Sequence, residues 1–279
     1  MILTIDVGNT NVKVAVFKQI NIIDKFVFQK NNFQNNFQII FEKYPNHTKA
    51  VLASVSMLDK KDNVWLKNKI EVIEINADSN FPFKNKYITP NTLGIDRRVL
   101  ASGAVLQYPN QNVLIIDVGT CVTYDFITNK NEYLGGAISP GLRLRYQALN
   151  DYTAKLPLLE NNSPDNFIGN STDESIHSGV VNGLCFEIEG FISEFSVKKE
   201  QFTIILTGGD AIFLANRLKS TIFADENFLL KSLHQLYTYS LQNDEKNCLI
   251  YFDIASNLWF CSRKHCFTLF YLRNRKRKI

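Results

Sequence analysis

The chain has 279 residues and a mass of 32.0 kDa, 45% hydrophobic and 21% charged, the balance of a folded globular protein with room for two domains or one duplicated unit. Its net charge of +4 is a poor guide to partners, because Arg273, Arg275, Lys276, Arg277 and Lys278 crowd the last seven residues and subtracting those five charges leaves −1. These numbers exclude a basic nucleic-acid binder for the body of the chain, and no window offers the roughly 20 unbroken apolar residues of a membrane-spanning helix.

Residues 2–6 (ILTID) and 12–17 (VKVAVF) predict a strand, a tight turn and a returning strand. Val12, Val14 and Val16 alternate with Lys13, Ala15 and Phe17, and the intervening VGNT carries Gly and Asn, which suit positive φ. Asp6 breaks the first apolar run and no basic flank precedes it, so no signal peptide is expected. The Asn/Gln-rich stretch 30–38 sets Phe33 and Phe37 among polar residues and reads as a surface helix or loop. On residue types alone, GIDRR (94–98) reads as a surface salt-bridge cluster opening a helix over 97–107. NVLIID, VGTC and VTYDFI (112–127) then repeat the first hairpin, which suggests a duplicated α/β unit with one sheet in each half.

Further along, residues 174–195 (ESIHSGVVNGLCFEIEGFISEF) have the apolar periodicity of a helix. FTIILTGGDAIFLANRL (202–218) predicts a buried strand running into Gly208–Gly209, with Asp210 as N-cap of an amphipathic helix. An apolar helix finishing near 243 follows. Beyond it, 244–279 form an atypical aromatic and basic extension: an added packing element, a membrane-surface or partner segment, or a non-native end. The abrupt rise in aromatic and cysteine content favours the last. A mass spectrum of the cell-derived protein carrying the complete C-terminus would rule it out. The five cysteines are odd in number and scattered without a C-x-x-C pair, the pattern of reduced thiols in a cytoplasmic protein. Cys261, His265 and Cys266 lie close together but lack a second ligand pair, which argues against a metal site.

The turns carry the chemistry. A glycine lets the backbone approach a ligand, and successive N–H groups with the Asn9 and Thr10 side chains make a nest for phosphate oxygens. Lys13 could add a point charge, whereas Asp6 at the mouth would repel bare phosphate and so implies a cation between them. Any hairpin can use Asp-x-Gly for turn geometry alone, but two copies with Thr at the tip favour a grip on both ends of a polyphosphate. The Gly-Gly turn makes room for a flat group such as adenine, and the three together suggest a nucleotide.

In this order the three stretches resemble the phosphate-1, phosphate-2 and adenosine motifs of the acetate kinase, sugar kinase, heat-shock ATPase and actin superfamily. With NTLGIDRRVLASGA (91–104) and GGAISPGLRLRYQAL (135–149), the chain over about 1–243 is similar to the type III pantothenate kinases. The resemblance implies a duplicated actin-like (ribonuclease H-like) α/β fold, with mixed sheets flanked by helices around a nucleotide cleft. Its domains would be 1–112, 113–243 and the extension 244–279. It implies phosphorylation of pantothenate by ATP, the first step of coenzyme A synthesis. Asp96 would be the general base, and Asp6, Val7, Gly8, Asn9, Thr10, Asn11, Val12 and Lys13 the first ATP turn, with Thr120 on a phosphate from the second. Tyr87, Gly94, Ile95, Asp96 and Arg97 would line the substrate, the Arg97 guanidinium meeting the pantothenate carboxylate or amide oxygens, and Thr172 would contact it from a partner subunit. Asp117 would hold a monovalent cation, K⁺ or NH₄⁺, and Asp6 would orient Mg²⁺ through water. A cytoplasmic homodimer, joined through the second-half helices, is the implied assembly, with no nucleic-acid or membrane partner. On residue types alone, Tyr87 is equally a half-buried anchor and Thr172 an N-cap. Two other functions compete: a non-enzymatic accessory factor for transcription, disfavoured by the intact Asp6, Asp96 and Asp117, and a kinase of the same fold acting on another hydroxyl, such as a sugar's.

Overall fold

The computed structural model describes residues 1–55, 58–198 and 202–254, with 244–254 as helical backbone. The expectations for 255–279, including Cys261, His265, Cys266 and the basic end, lie outside the described residues. The chain divides into two compact units, Met1–Gln235 and Leu236–Ile279. Of the second, the described part is helix.

Strands β1 (Ile2–Val7), β2 (Asn11–Lys18) and β3 (Asn21–Gln29) form an antiparallel meander. Helix α1 (Phe33–Lys43) leads to β4 (Lys49–Ser54), which returns parallel to β1, and α2 (Lys60–Lys69) leads to β5 (Glu71–Ile75), parallel to β4. The sheet order is β3-β2-β1-β4-β5. After the short strand β6 (Lys84–Asn85) and helix α3 (Ile95–Gln107), the same path is traced again. Strands β7 (Val113–Val118), β8 (Cys121–Ile127) and β9 (Glu132–Pro140) make a second meander. Helices α4 (Leu142–Asp151), α5 (Thr172–His177) and α6 (Gly183–Lys198) precede β10 (Thr203–Thr207), which lies parallel to β7. Helix α7 (Ala211–Ala215) leads to β11 (Phe223–Ala224), and α8 (Phe228–Ile254) closes the described chain. The second order, β11-β10-β7-β8-β9 with β6 added at its edge, reproduces the first. The repeated IDVG therefore marks a repeated sheet, and the architecture is a duplicated actin-like fold of two mixed sheets flanked by helices.

Strand periodicity decides what each sheet buries. Leu3, Ile5 and Val7 project from one face of β1 into a core with Phe28, Phe33, Phe37, Ile40 and Leu66. Leu114, Ile116 and Val118 do the same in the second half, against Leu142, Tyr146, Val181, Leu184 and Ile188. Each fully buried aliphatic side chain contributes about 1.5–3 kcal/mol. The opposite faces turn toward α3, which packs against β4 of the first sheet and against β7 and β8 of the second. That face is where Asp6 and Asp117 emerge.

Several expectations are corrected here. Helix α3 starts at Ile95 rather than 97, and Arg97 and Arg98 are buried instead of forming a surface cluster, because α3 lies between elements of both sheets. Its Gly103 meets Ser232 of α8 so closely that a Cβ there would overlap the serine hydroxyl. Neither Gly8 nor Asn9 adopts positive φ; Gly8 serves close approach instead, its would-be Cβ lying 3.2 Å from Asn11 O. The helix expected over 174–195 is interrupted by a π-helical turn at Ser178–Asn182. Helix α8 continues past 243 to Ile254, since no Gly or Pro stops it. Residues 33–43 are a surface helix as expected, with Phe33, Phe37 and Ile40 on its buried face. Among the described residues, no helix is long and apolar enough to cross a membrane.

Candidate active site

Two hairpins place the first group of functional side chains. Because Leu3, Ile5 and Val7 are committed to the core, Thr4 and Asp6 face the other way, and both are buried. Asp6 sits opposite Lys13 across the β1–β2 pair. In the second half, Asp117 sits opposite Thr123 on β8 and beside Thr207 on β10. The first turn closes with the Gly8 N–H donating to Asn11 O at 3.0 Å, the second with the Gly119 N–H donating to Cys121 O at 2.9 Å. The tips meet: Thr10 Oγ1 lies 3.3 Å from Thr120 Oγ1. Lys30 Nζ donates to the Asn9 carbonyl at 3.2 Å and braces the first tip. Val7 and Val12 bury their side chains, so only their backbone groups are left for a ligand.

The third turn packs on the second. Gly208 has φ +100°, and a Cβ there would collide with Val118 O and stand 2.5 Å from Asp117 Oδ1. The Asp210 N–H donates to Val118 O at 3.1 Å, and from the other side the Gly141 N–H donates to Thr120 O at 3.0 Å. Gly209 is different: nothing lies within 4 Å of a Cβ built there, which leaves space for a flat ligand. Asp210 occupies the N-cap position of α7, but its side chain makes no capping bond, contrary to expectation. Its Oδ1 instead accepts from Asn161 Nδ2 at 3.4 Å, and its carboxylate lies in the field of Lys13.

These carboxylates influence one another. Burial pushes Asp6 up to about 7, Lys13 pulls it down, and the Asp117 and Asp96 charges raise it further. Burial pushes Asp117 up to about 6, again opposed by Lys13 and reinforced by Asp96 and Asp125. Asp96 opens α3 after Gly94, its Oδ1 accepting the Arg97 N–H at 2.8 Å, and burial raises its carboxyl above the usual range. Aspartates from β1, β7 and α3, far apart in sequence, therefore share one region, with Lys13 opposing the two on the sheets.

The residues following Asp96 behave differently from expectation. Arg97 is held by Asp125 of β8: its Nε donates to Asp125 Oδ1 at 2.8 Å, and the guanidinium carbon lies 5.9 Å from the Tyr87 ring centre. It is therefore not a bare cation awaiting a carboxylate. Tyr133 adds a hydroxyl bond to the same oxygen at 2.6 Å. Sequence reasoning missed Asp125 and Tyr133; the available signal was an acidic residue between two aromatics in a strand, which folding buries only with partners. Arg98 pins the loop leading into α3 by donating to the carbonyls of Leu93, Ala77 and Pro90. Tyr87 is half-buried beside Tyr133, their ring centres 6.1 Å apart. Thr172 is exposed and lines a cavity of about 1170 Å³ with Leu144, Tyr152 and Ser175, whose wall includes none of Asp6, Tyr87, Asp96, Arg97 or Asp117. Nor is Thr172 the N-cap of α5, since Ser171 accepts the Glu174 N–H there.

The residues present fit cations. Three mutually repelling carboxylates share little compensating charge, and the buried Thr4 and Thr207 hydroxyls, next to Asp6 and Asp117, have no hydrogen-bond partner. Among the described residues no three His, Cys, Asp or Glu side chains are grouped to hold a metal directly.

Comparison with known proteins supplies the family. The model of the type III pantothenate kinase family matches residues 2–194. A Flavobacterium johnsoniae protein named Type III pantothenate kinase is 55% identical over 244 residues, covering 88% of this chain and all of that one. A Flavobacterium psychrophilum protein of the same name is 56% identical over 239 residues, 86% of this chain and 99% of that one. Among solved structures, a Baf-family transcriptional activator from Campylobacter jejuni superposes with a TM-score of 0.60 at 20% identity, covering 86% of this chain and 99% of that chain. The activator of 2-hydroxyisocaproyl-CoA dehydratase from Clostridium difficile, with bound ADPNP, gives 0.51 at 11% identity, covering 88% and 97%. At such identities the structural likenesses concern the fold alone. By its sequence and by the motifs its fold assembles, the chain belongs to the type III pantothenate kinase family.

Proposed function

We propose that the protein transfers the γ-phosphoryl group of ATP to the primary hydroxyl of pantothenate, giving 4′-phosphopantothenate and ADP, the first step of coenzyme A synthesis. The observation that carries this reading is the convergence of two phosphate-type turns, 3.3 Å apart at Thr10 and Thr120, with Asp6, Asp96 and Asp117.

Phosphoryl transfer asks the protein mainly for positioning and charge neutralisation. The turn Asp6–Lys13 presents backbone N–H groups, the Thr10 hydroxyl and the Lys13 ammonium to ATP. Thr120 contributes a hydroxyl from the opposite half, and Gly209 leaves room for the base. Asp96 accepts the hydroxyl proton as the pantothenate oxygen attacks the γ-phosphorus and the bond to the ADP oxygen breaks. Burial raises its carboxyl above the ordinary value, the direction that strengthens a proton acceptor. Tyr87 and the Gly94–Arg97 segment bound the acceptor. Asp6 would orient Mg²⁺ through water, and Asp117, with the Thr207 hydroxyl beside it, would hold K⁺ or NH₄⁺. Such ions supply positive charge against the triphosphate.

We further place the protein in the cytoplasm as a homodimer built through the helices of 172–198, with Thr172 reaching the partner's acceptor pocket. We divide the chain at 1–112, 113–243 and 244–279. The test is ATP-dependent phosphorylation of pantothenate in potassium and in sodium alone, beside Asp96→Asn. Turnover that needs potassium and drops by about 10²–10⁴-fold in the variant, with ATP binding kept, is the expected result. Full activity of Asp96→Asn would remove the base assignment, and absence of wild-type turnover would remove the proposal.

A further inference from the structure

Arg145, on α4, stands outside the phosphate turns yet reaches the second of them through the start of its own helix. Its Nε donates to Pro140 O at 2.9 Å, its Nη2 donates to Ser139 Oγ at 3.0 Å, and its backbone N–H donates to Gly141 O at 3.1 Å. Nη2 also pairs with Glu187 Oε2 on α6, and Glu187 Oε1 accepts the Tyr124 hydroxyl of β8 at 2.8 Å. Burial alone would raise the Glu187 carboxyl, but hydrogen bonds from Arg145, Tyr124 and Ser139 hold it below the ordinary value. The residues so gripped stand against the second turn. Ser139 and Pro140 pair with Val122 and Cys121 in the β8–β9 ladder. The Gly141 N–H donates to Thr120 O, and a Cβ on Gly141 would lie 2.1 Å from Gly119 O and 2.7 Å from Thr120 O. The circuit closes on itself: it leaves β8 at Tyr124, crosses Glu187 and Arg145, and returns to the same hairpin at Thr120. Helix α4 has its own anchors in Leu142 and Tyr146, which are buried in the second core, whereas the Arg145 and Glu187 side chains are 20% and 25% exposed. A partly exposed ion pair adds little to global stability, but a bonded network can fix the place of a functional atom.

We infer that Arg145, oriented by Glu187 and Tyr124, is a positioning residue for the phosphoryl donor. By holding Ser139, Pro140 and Gly141 against the second turn, it keeps the Thr120 hydroxyl beside Thr10, where it meets a phosphate of the nucleotide. The inference rests on the kinase reading above and deepens it by a residue outside the expected site. Thr10 and Thr120 come from opposite halves of the duplicated fold, with 3.3 Å between their hydroxyls, so each tip has to be held separately. The first is braced by Lys30 on the Asn9 carbonyl; Arg145 is the counterpart for the second. Where transfer depends on placement, a shift on the order of 1 Å at a phosphate-binding hydroxyl is enough to weaken the reaction. Lysine at 145 would keep a charge for Glu187 but lacks the planar fork that reaches Pro140 O, Ser139 Oγ and Glu187 together.

The experiment is steady-state kinetics for both substrates with the full chain as wild type, Arg145→Ala, Arg145→Lys, Glu187→Gln, Thr120→Val and the Arg145→Ala/Thr120→Val double variant. For Arg145→Ala, KM for ATP rises by about threefold to tenfold while KM for pantothenate stays within about twofold. Arg145→Lys recovers part of that loss, and Glu187→Gln, which keeps the shape and removes the charge, raises KM for ATP by about threefold; if Arg145→Ala does not fold, Glu187→Gln decides. Because Arg145 acts through Thr120, the double variant is no worse than Thr120→Val within about twofold, rather than showing the product of the two losses. An unchanged KM for ATP, parallel rises in both KM values, or multiplying losses in the double variant would overturn the inference and leave the kinase reading standing. No turnover by the wild-type chain would overturn both.

Discussion

The two adjacent glycines of the third turn should respond to alanine in opposite ways. At Gly208 the backbone has φ +100°, which costs an L-residue about 1–3 kcal/mol, and the new methyl would overlap Val118 O and crowd Asp117 Oδ1 at 2.5 Å. The first of those atoms is backbone at the end of β7, already accepting the Asp210 N–H at 3.1 Å, and cannot swing aside. Overpacking of this kind adds about 1–3 kcal/mol, so Gly208→Ala should lose about 2–6 kcal/mol. For a domain of this size that is a fall in Tm of about 5–20 °C, measurable by differential scanning fluorimetry. At Gly209 a methyl meets nothing within 4 Å and φ is unstrained, so Gly209→Ala should keep its Tm within about 2 °C. If the open side of Gly209 is where the adenine lies, that same variant should raise KM for ATP and leave KM for pantothenate alone. Equal melting temperatures for the two variants would refute the packing argument. An unaltered KM for ATP in Gly209→Ala would refute the placement of the base.

Three further outcomes follow from the site. Asp6, raised to about 7, and Asp117, raised to about 6, bind protons in the folded state that the unfolded chain, with carboxyls near 3.8, has released. The stability they contribute is complete below the unfolded value and lost as pH rises through 6–7. The cation-free protein should therefore melt progressively lower from pH 5 to pH 8, with Mg-ATP and potassium reversing the fall and Asp6→Asn flattening it. A wild-type Tm that climbs over that window would count against the assignment. Thr120→Val removes a hydroxyl from the second tip while keeping the shape, and should raise KM for ATP by about tenfold with KM for pantothenate steady; isothermal titration with a non-hydrolysable nucleotide gives the independent check. Arg98→Ala frees the carbonyls of Leu93, Ala77 and Pro90, and should cost about 2–4 kcal/mol in urea unfolding with a raised KM for pantothenate. A loss below about 0.5 kcal/mol would mean that the loop is held by something else.

What the chain's residues reveal by themselves is local: alternation in VKVAVF, glycine and threonine at the turns, and the doubled IDVG. Period-two patterning needs no tertiary context, so both hairpins and the duplication are legible in the linear order, as is Asp6 as an acidic residue in an otherwise buried strand. Three kinds of fact were not legible. The charged start of α3 looked like surface because GIDRR is what a solvated helix end also looks like; only the packing of α3 against both sheets buries Arg97 and Arg98. Asp125 was passed over because its partners Arg97 and Tyr133 come from α3 and β9, and a one-dimensional pattern does not say which strand faces meet. Gly8 was read both as suited to positive φ and as a point of close approach, and only a close approach, to Asn11 O, is seen, while Gly208, just after β10, has both. Sequence determines which segments become strand, turn or helix, because those preferences act over a few neighbouring residues. Which carboxylates end up sharing one region, and which arginine is already spoken for, depends on contacts between segments from 28 residues apart (Arg97 and Asp125) to 110 apart (Thr10 and Thr120), and those exist only once both sheets have packed against α3.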